Sequence, residues 1–464
     1  MFPEFEIVRR QRPVTIAVES TSPARPAANA AIEVACTGPV SLSLASGEDV
    51  LTGTYDGQRV WLTVTTGSRH TSHASRRHGR VGRGVDRFAL TLTGTMLTAL
   101  TCAETTGARS SGELARPPAP SEGVSERSEH GAWVARARVD LTEVGIEPRA
   151  EAWLADLTAD HDGTDEDVRF GSFGQLGLRD IRAVTYADGS PFQDEDGGLL
   201  LTATSAGPGF FPTAHTSVWA LDPVTYDLVH RGALYFRRDG LVYGDHATHL
   251  VRDGDEWLVA TSTWAGFKAP DAKNPDEPWT PVGVTIARSR ADLTRGEHVL
   301  DATPLVLPTD GLSSVGVWDP HLLRQDGQWL VGYVSARKYF DFHPVIAAGP
   351  GLDALELRAA RTDRTATEGT TIVPLGGTIV VGASDGRDNP RRVRARYPIF
   401  DLDLNEVAEL RSEYVSNLPW PTLIPVGTEW LHIAFDGTPH GGRLPGYGTH
   451  GEVVLSRSTR GRSE

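Results

Sequence analysis

The chain of 464 residues contains only two cysteines, Cys36 and Cys102, and only two methionines. Two cysteines exclude a disulfide framework and a zinc centre built from several thiolates. Long apolar runs are also missing. The first residues, MFPEFEIVRRQRP, do not resemble a secretion signal, and no later segment is apolar enough to cross a bilayer. We therefore expect a cytoplasmic protein with no membrane partner, secretion being the alternative.

Basic residues are in the minority, 45 against 60 acidic ones, so the formal net charge is −15. Nucleic acids are bound through a basic surface, and this balance argues against such a partner. A neutral ligand such as a carbohydrate meets no electrostatic obstacle. Turn-forming residues are abundant, with 49 Gly and 30 Pro, which is typical of many short strands joined by turns.

Residues 31–170 alternate apolar and polar side chains, as in VLTGTYDGQRVWLTVTT, with glycine turns between the runs. This pattern predicts half-buried antiparallel strands. We assign residues 1–165 to a β-sandwich-like accessory domain. Two loops are expected within it, at 68–84 and 115–130, and a helix is expected at 147–160 near its end.

From about residue 175 a unit repeats: an acidic residue, a short strand, a turn with glycine and a second strand. The second strands are predicted to begin near five positions, Leu199, Trp257, Trp329, Thr378 and Trp430. Their spacing is close to that of a four-stranded propeller blade. The sequence thus predicts an all-β chain in which residues 166–464 form a five-bladed β-propeller. The insertions 207–211 and 265–281 are expected to form the rim of its binding site.

In a propeller the first strand of every blade lies against the central axis, so residues at the start of these strands converge. Counting back from the second strands places four acids there, Asp180, Asp245, Asp319 and Glu368, with Trp420 in the fifth blade. Crowded carboxylates raise each other's pKa, which general acid–base chemistry requires. A single such acid more often caps a turn or pairs with arginine, as Arg179 or Arg182 could do beside Asp180. The recurrence favours a shared site.

The motifs LRDIR, VWDPHLL and TEGTTIV resemble the five-bladed propeller glycosidases of glycoside hydrolase family 43 and the related invertase/levansucrase and mannoside-phosphorylase groups. The resemblance implies that Asp180 is the general base or nucleophile and that Glu368 is the general acid. It leaves Asp319 or Asp245 as the third acid, which orients the acid or tunes its pKa.

Further site residues are expected around these acids. Trp318 and Trp420 are predicted to stack on sugar rings, and His321, His246 and Arg179 to bind substrate. His450 resembles a last-blade histidine near an axial metal, so a structural Ca²⁺ on the axis is weighed against a site that requires no cofactor.

These features predict a glycoside hydrolase that acts on a short sugar chain. Two alternatives stay open. One is a glycoside phosphorylase or transglycosidase on the same fold, and the other is a propeller that binds carbohydrate without catalysis.

Overall fold

A computed structural model describes most of the chain, namely residues 3–19, 25–36, 38–81, 84–103, 132–162, 167–195, 197–270, 278–440 and 442–459. Within these ranges almost all regular structure is β-strand, and the all-β prediction is confirmed. None of the helices in these ranges has the length and apolarity needed to traverse a bilayer.

The first part of the chain contributes β1 (Phe5–Gln11), β2 (Thr15–Glu19), β3 (Asn29–Ala35), β4 (Val40–Ser46), β5 (Asp49–Tyr55), β6 (Val60–Thr66), β7 (Arg69–His73), β8 (Arg87–Thr93), β9 (Met96–Ala103), β10 (Ala132–Asp140), β11 (Thr158–His161) and β12 (Val168–Gln175). A 3₁₀ helix, Leu141–Val144, and the helix α1, Glu151–Ala155, lie between β10 and β11.

The second part contributes β13 (Leu178–Ala183), β14 (Thr185–Tyr186), β15 (Leu199–Ser205), β16 (His215–Leu221), β17 (Leu228–Arg238), β18 (Leu241–Tyr243), β19 (His246–Asp253), β20 (Glu256–Ser262), β21 (Val284–Ser289), β22 (Gly296–Pro304), β23 (Gly316–Gln325), β24 (Gln328–Lys338), β25 (Asp341–Gly349), β26 (Glu356–Ala360), β27 (Thr367–Leu375), β28 (Thr378–Asp385), β29 (Pro398–Phe400), β30 (Glu406–Glu409), β31 (Thr422–Val426), β32 (Glu429–Asp436) and β33 (Glu452–Ser458). Two short 3₁₀ helices are Phe211–Thr213 and Trp264–Gly266.

Two sheets are built from the first part of the chain, in the orders β10-β9-β8-β3-β12-β2 and β11-β4-β5-β6-β7. Alternate residues of β4, β5 and β6 are buried, as the sequence pattern predicts. Their buried side chains and those of β3, β8 and β9 form one apolar core. Each sheet therefore buries one face against the other.

The second part forms runs of four antiparallel strands. Three are separate sheets, β23 to β26, β27 to β30, and β31-β32-β33-β1. Two further runs, β13-β15-β16-β17 and β19 to β22, are joined into a longer sheet by parallel pairing of β17 with β22. The five second strands begin within one residue of the predicted positions. The first strands lie side by side: β13 contacts β19 and β31, β19 contacts β23, and β23 contacts β27.

The strand β1 belongs by hydrogen bonding to the end of the chain, because it pairs antiparallel with β33. The division of the sequence at residue 165 places it in the N-terminal domain. Alternation alone cannot reveal such a pairing, since the partner strand lies more than 440 residues away.

Local predictions in the first part fared unevenly. The helix expected at 147–160 is only Glu151–Ala155, because Thr158–His161 instead pairs with β4 as a strand. The loop expected at 68–84 includes a strand, Arg69–His73, which extends the sheet beside β6. The loop expected at 115–130 lies outside the described residues.

The pairing of β1 predicts that its buried side chains stabilise the C-terminal part of the chain. Phe5 is buried, and its ring lies edge-on to His432 with centroids 5.7 Å apart. Replacing Phe5→Ala should lower the free energy of unfolding by about 3 kcal/mol. Urea unfolding followed by tryptophan fluorescence measures this. The control is Glu6→Ala, at the exposed neighbouring position; equal midpoints for the two variants would contradict the role given to β1.

Candidate active site

Four of the first strands carry a β-bulge at the same place. The register with the second strand shifts between Arg179 and Arg182, between His246 and His249, between Trp318 and His321, and between Glu368 and Thr371. A bulge leaves residues unpaired and redirects side chains relative to the regular alternation. The equivalent positions in the four strands are therefore defined by the bulge and not by counting along the sequence.

The residue at the centre of each bulge has a left-handed backbone. The φ angles are +49° at Asp180, +60° at Ala247, +60° at Asp319 and +72° at Gly369. Such a conformation costs a non-glycine residue about 1–2 kcal/mol. The bulge lets two consecutive side chains reach the same space, as Arg179 and Asp180 do, and as Trp318 and Asp319 do.

That space is a cavity of about 270 Å³ at the N-terminal end of the first strands. Its walls combine acids, one arginine and many aromatic rings: Arg179, Asp180, Phe211, His246, Trp264, Phe267, Trp318, Asp319, Tyr339, Phe340, Phe342, Ala366, Glu368, Asp388, Asn417, Leu418, Trp420 and Tyr447. Three of the four predicted acids, Asp180, Asp319 and Glu368, meet here. So do Trp318, Trp420, His246 and Arg179.

Asp319 is almost completely buried, at 2% exposure. Its pKa lies well above the ordinary range because burial disfavours the charged form, and Glu368 and Asp180 add like-charge repulsion. The Gly369 amide donates a hydrogen bond to the carboxyl group, but Oδ2 has no hydrogen-bond partner among the described residues. This environment favours a neutral Asp319.

Glu368 occupies the same cavity one residue before the left-handed position of its bulge. The pKa of Glu368 is raised to about 7, first by burial and then by Asp180. The indole N–H groups of Trp420, at 3.4 Å, and of Trp318 donate to it and partly oppose this rise. A carboxylic acid with such a pKa can donate a proton near neutral pH.

Gly369 brings the Glu368 strand close to Trp420. A Cβ atom at Gly369 would lie 2.6 Å from Cγ of Trp420, so only glycine fits there. The TEGTT sequence thus supplies both the acid and the close approach of its indole partner.

Arg182 contacts residues of the cavity wall from within the protein interior. In the sequence it was considered only as a neighbour of Asp180. It is 1% exposed and donates from Nη2 to the Asp319 carbonyl (2.9 Å) and from Nη1 to Thr371 Oγ1 (3.0 Å). Its guanidinium group also lies over the Trp420 ring at 4.6 Å. Burial lowers the Arg182 pKa to about 10, and Asp319 and Asp180 oppose that shift. One side chain thus links four first strands or their starts.

Asp245 does not line the cavity. It lies two residues before the left-handed Ala247 and is fully buried, where it accepts hydrogen bonds from Arg238 Nε (2.8 Å) and Nη2 (3.2 Å) and from the Ala265 amide (3.1 Å). These contacts hold the rim segment that follows β20. Asp319 therefore lines the cavity, whereas Asp245 is held outside its lining in an ion pair with Arg238.

The two histidines predicted to bind substrate, His246 and His321, lie in different places. His246 lines the cavity and bonds through Nδ1 to the Gly244 carbonyl (3.2 Å). His321 lies deeper, stacked on His249 with centroids 4.0 Å apart, and borders a second cavity of about 310 Å³ at the other end of the first strands. It is thus not among the residues that line the acid-bearing cavity.

His450 bonds through Nδ1 to Nη1 of Arg179 at 3.0 Å, and burial and this cation lower its pKa to about 4. A guanidinium at the ring nitrogen does not suit a metal ligand. No group of three His, Cys, Asp or Glu side chains with metal-binding geometry exists in the described part of the chain. The residues around His450 therefore do not fit the predicted Ca²⁺.

The aromatic wall was only partly foreseen. Phe211 and Trp264 stack at 4.3 Å, and Trp264 approaches Trp318 at 5.2 Å. Tyr339 lies parallel to Trp318 at 6.3 Å. Most of these rings come from 3₁₀ turns and hairpin ends. Phe211 lies in the predicted rim insertion 207–211, whereas Trp264 directly precedes the other insertion, 265–281.

Comparisons with known proteins gave structural neighbours only. No family model and no curated protein matches the sequence. Among solved structures, the chain is similar to the GH32 β-fructofuranosidase of Bombyx mori (15% identity, 61% of this chain, 60% of that chain, TM-score 0.41). It is also similar to a GH43_1 enzyme from Xanthomonas citri (12%, 61%, 89%, 0.40) and to levansucrase from Bacillus subtilis (10%, 61%, 86%, 0.42).

These neighbours belong to the groups of propeller glycosidases that the sequence resembles. Identities and TM-scores at this level do not carry an activity to the chain, which spans 60% of the length of the Bombyx mori enzyme. The chemistry has to follow from the cavity itself.

The raised pKa of Glu368 makes a prediction about stability that is independent of any activity. Because the folded-state pKa is about 7 and the ordinary value is 4.5, the charged form is penalised in the folded protein. Wild-type stability should fall on this account between about pH 4.5 and 7, by on the order of 2–3 kcal/mol. Glu368→Gln should therefore be stabilised relative to wild type at pH 8 more than at pH 4.

Urea unfolding at the two pH values tests this. The matched control is Glu356→Gln, because Glu356 is exposed on β26 and distant from the cavity lining. A Glu368→Gln difference that is the same at both pH values would contradict the burial of this carboxyl group.

Proposed function

We propose that the chain is a glycoside hydrolase whose chemistry is carried out by Glu368, Asp180 and Asp319. The observation that carries this proposal is the meeting of three carboxyl groups in one aromatic-lined cavity, where one has a pKa near neutrality and another is buried. Glycosidic cleavage needs one carboxyl group that donates a proton and one that attacks or activates water.

The proposed architecture is a five-bladed propeller at residues 166–464 and a β-sandwich-like accessory domain at residues 1–165. The five runs of four strands support the propeller, and β1 would complete the last blade from outside the proposed boundary. The shared core of the two N-terminal sheets supports the sandwich. The proposed location is the cytoplasm.

In the proposed mechanism Glu368 protonates the leaving-group oxygen, since it retains its proton to about pH 7. Asp180, whose charge raises the pKa of Glu368, acts from the first strand β13 as base or nucleophile. The charges of Glu368 and Asp180 both raise the pKa of Asp319. When it is protonated, its carboxyl group can donate a hydrogen bond to the substrate or to Asp180. No cofactor is required for these steps.

The substrate is proposed to be a short, neutral carbohydrate chain. Trp318, Trp420 and the stacked Phe211–Trp264 pair line the cavity, and aromatic side chains suit the C–H faces of sugar rings. His246 and Arg179 add hydrogen-bond donors or acceptors along the same wall.

Amide substitution of the two reacting acids should separate an enzyme from a carbohydrate-binding propeller. On a panel of nitrophenyl glycosides, Asp180→Asn and Glu368→Gln should each lower kcat/KM by about 10²–10⁴. Asp255→Asn, an exposed aspartate in the β19–β20 turn, should retain the wild-type rate.

The leaving group distinguishes the two roles. Glu368→Gln should recover much of its rate on dinitrophenyl glycosides, which leave without protonation, whereas Asp180→Asn should not. A wild-type protein that binds sugars but hydrolyses none of the panel, with affinity unchanged in both variants, would support the binding propeller and contradict the hydrolase.

A phosphorylase is the second candidate, and Arg179 favours it. This arginine lines the cavity and forms no ion pair with a carboxylate of the described residues, although it bonds to His450 and lies over the rings of Tyr447 (4.3 Å) and Phe435 (4.5 Å). A cavity cation of this kind can bind phosphate. A transglycosidase, by comparison, would need a sugar acceptor in place of water.

Phosphate dependence decides between these reactions. If the protein is a hydrolase, the rate should be the same in phosphate-free buffer and in a series of buffers in which the phosphate concentration rises in 10-fold steps. The product should be the free sugar. Formation of a sugar 1-phosphate, and its loss in Arg179→Met, would instead establish phosphorolysis.

A further inference from the structure

Three exposed aromatic rings surround the mouth of the cavity. Phe210 is 59% exposed, Trp279 41% and Phe340 75%. Exposed large aromatic side chains are otherwise rare among the described residues, where the one other example is Tyr186, which packs on Phe192 away from this mouth. Aromatic rings gathered at a cavity entrance indicate a surface that becomes covered by a ligand.

Each ring adjoins the wall of the cavity. Phe210 lies edge-on to Tyr447 with centroids 6.0 Å apart, and Trp279 lies edge-on to Tyr339 at 6.3 Å. Phe340 follows Tyr339 directly and reaches the cavity itself. The exposed rings therefore continue the aromatic wall outward, on segments from three different parts of the chain.

Phe340 occupies a position that the backbone does not favour for it. It lies in the two-residue turn between Lys338 and Asp341, and its φ is +69°. Glycine or asparagine is preferred at such a left-handed turn position. The ring is also mostly in water, so neither local conformation nor burial explains a phenylalanine here. Strain of this kind concentrates at sites of function.

The cavity is also small for an oligosaccharide. At about 270 Å³ it lies just below the range of about 300–1,000 Å³ that is typical of pockets for small ligands. A chain of several sugars must therefore leave through the mouth and pass over these rings. The exposed rings at the mouth offer apolar faces, which suit a neutral sugar unit.

We propose that Phe210, Trp279 and Phe340 form a second carbohydrate-binding site, at the mouth of the cavity, for the sugar unit next to the one that the cavity holds. This inference rests on the proposed function and deepens it, because it makes the substrate an oligosaccharide of at least two units. The rim residues then determine chain-length preference, while the three acids determine cleavage.

The test measures binding separately from turnover. The probes are the nitrophenyl monosaccharide that binds most tightly and the two- to four-unit oligosaccharides of the same sugar, titrated by calorimetry into Glu368→Gln protein. Adding Trp279→Ala or Phe210→Ala should raise Kd for the oligosaccharides about 10-fold, the equivalent of one lost stacking contact of ~1.4 kcal/mol. The monosaccharide Kd should change less than twofold.

Phe340→Gly gives a sharper signature. Glycine accepts the left-handed backbone, so this variant should unfold at the wild-type temperature or above it while oligosaccharide affinity falls. The control is Val224→Ala, since Val224 is 81% exposed in a turn remote from the cavity lining.

The outcomes separate this inference from the proposed function. If the oligosaccharide affinities of all three rim variants equal those of the Glu368→Gln parent, the rim site is overturned while the hydrolase is left intact. Length-dependent binding that is lost in the rim variants, in a protein that cleaves none of the probes, would sustain the rim site and overturn the hydrolase. Wild-type protein that binds no probe would overturn both.

Discussion

The site depends on a backbone that turns left-handed at the same place in successive first strands. Regular alternation would send neighbouring side chains to opposite faces of a strand. The bulges at Asp180 and Asp319 instead deliver consecutive side chains to one cavity, and glycine at Gly369 allows Trp420 to reach Glu368. The strain at two aspartates is sustained because the surrounding strands fix the conformation.

Electrostatic balance is the second requirement. Three carboxyl groups share a small volume, so they cannot all be charged at low cost. Arg182 opposes the pKa rise of Asp319 and donates a hydrogen bond to its carbonyl group. The indole N–H groups of Trp318 and Trp420 oppose the pKa rise of Glu368 by donating hydrogen bonds to its carboxyl group. The result is that the pKa values of both Asp319 and Glu368 remain raised despite these opposing contacts.

Local signals in the sequence predicted the hairpins well, because turn residues and alternating apolar runs are encoded within a few positions. Asp180, Asp319 and Glu368 were placed at strand starts in this way, and in the structure they line one cavity. Asp245 was wrongly expected to line the cavity. Which side chains point into the cavity depends on the bulge at Ala247, two residues away, and residue propensities do not predict where a bulge forms. The pairing of β1 with β33 and the tie made by Arg182 join distant segments, so they are decided only by the folded chain.

The central claim is that Glu368 keeps its proton near neutrality because Asp180 and burial disfavour its charge. Infrared difference spectroscopy of the carboxyl C=O stretch across pH 4–9 measures this directly. The account predicts a carboxyl group that titrates near pH 7, is absent in Glu368→Gln and titrates at lower pH in Asp180→Asn. A spectrum in which Glu368→Gln removes only a group with an ordinary pKa of about 4.5 would contradict it.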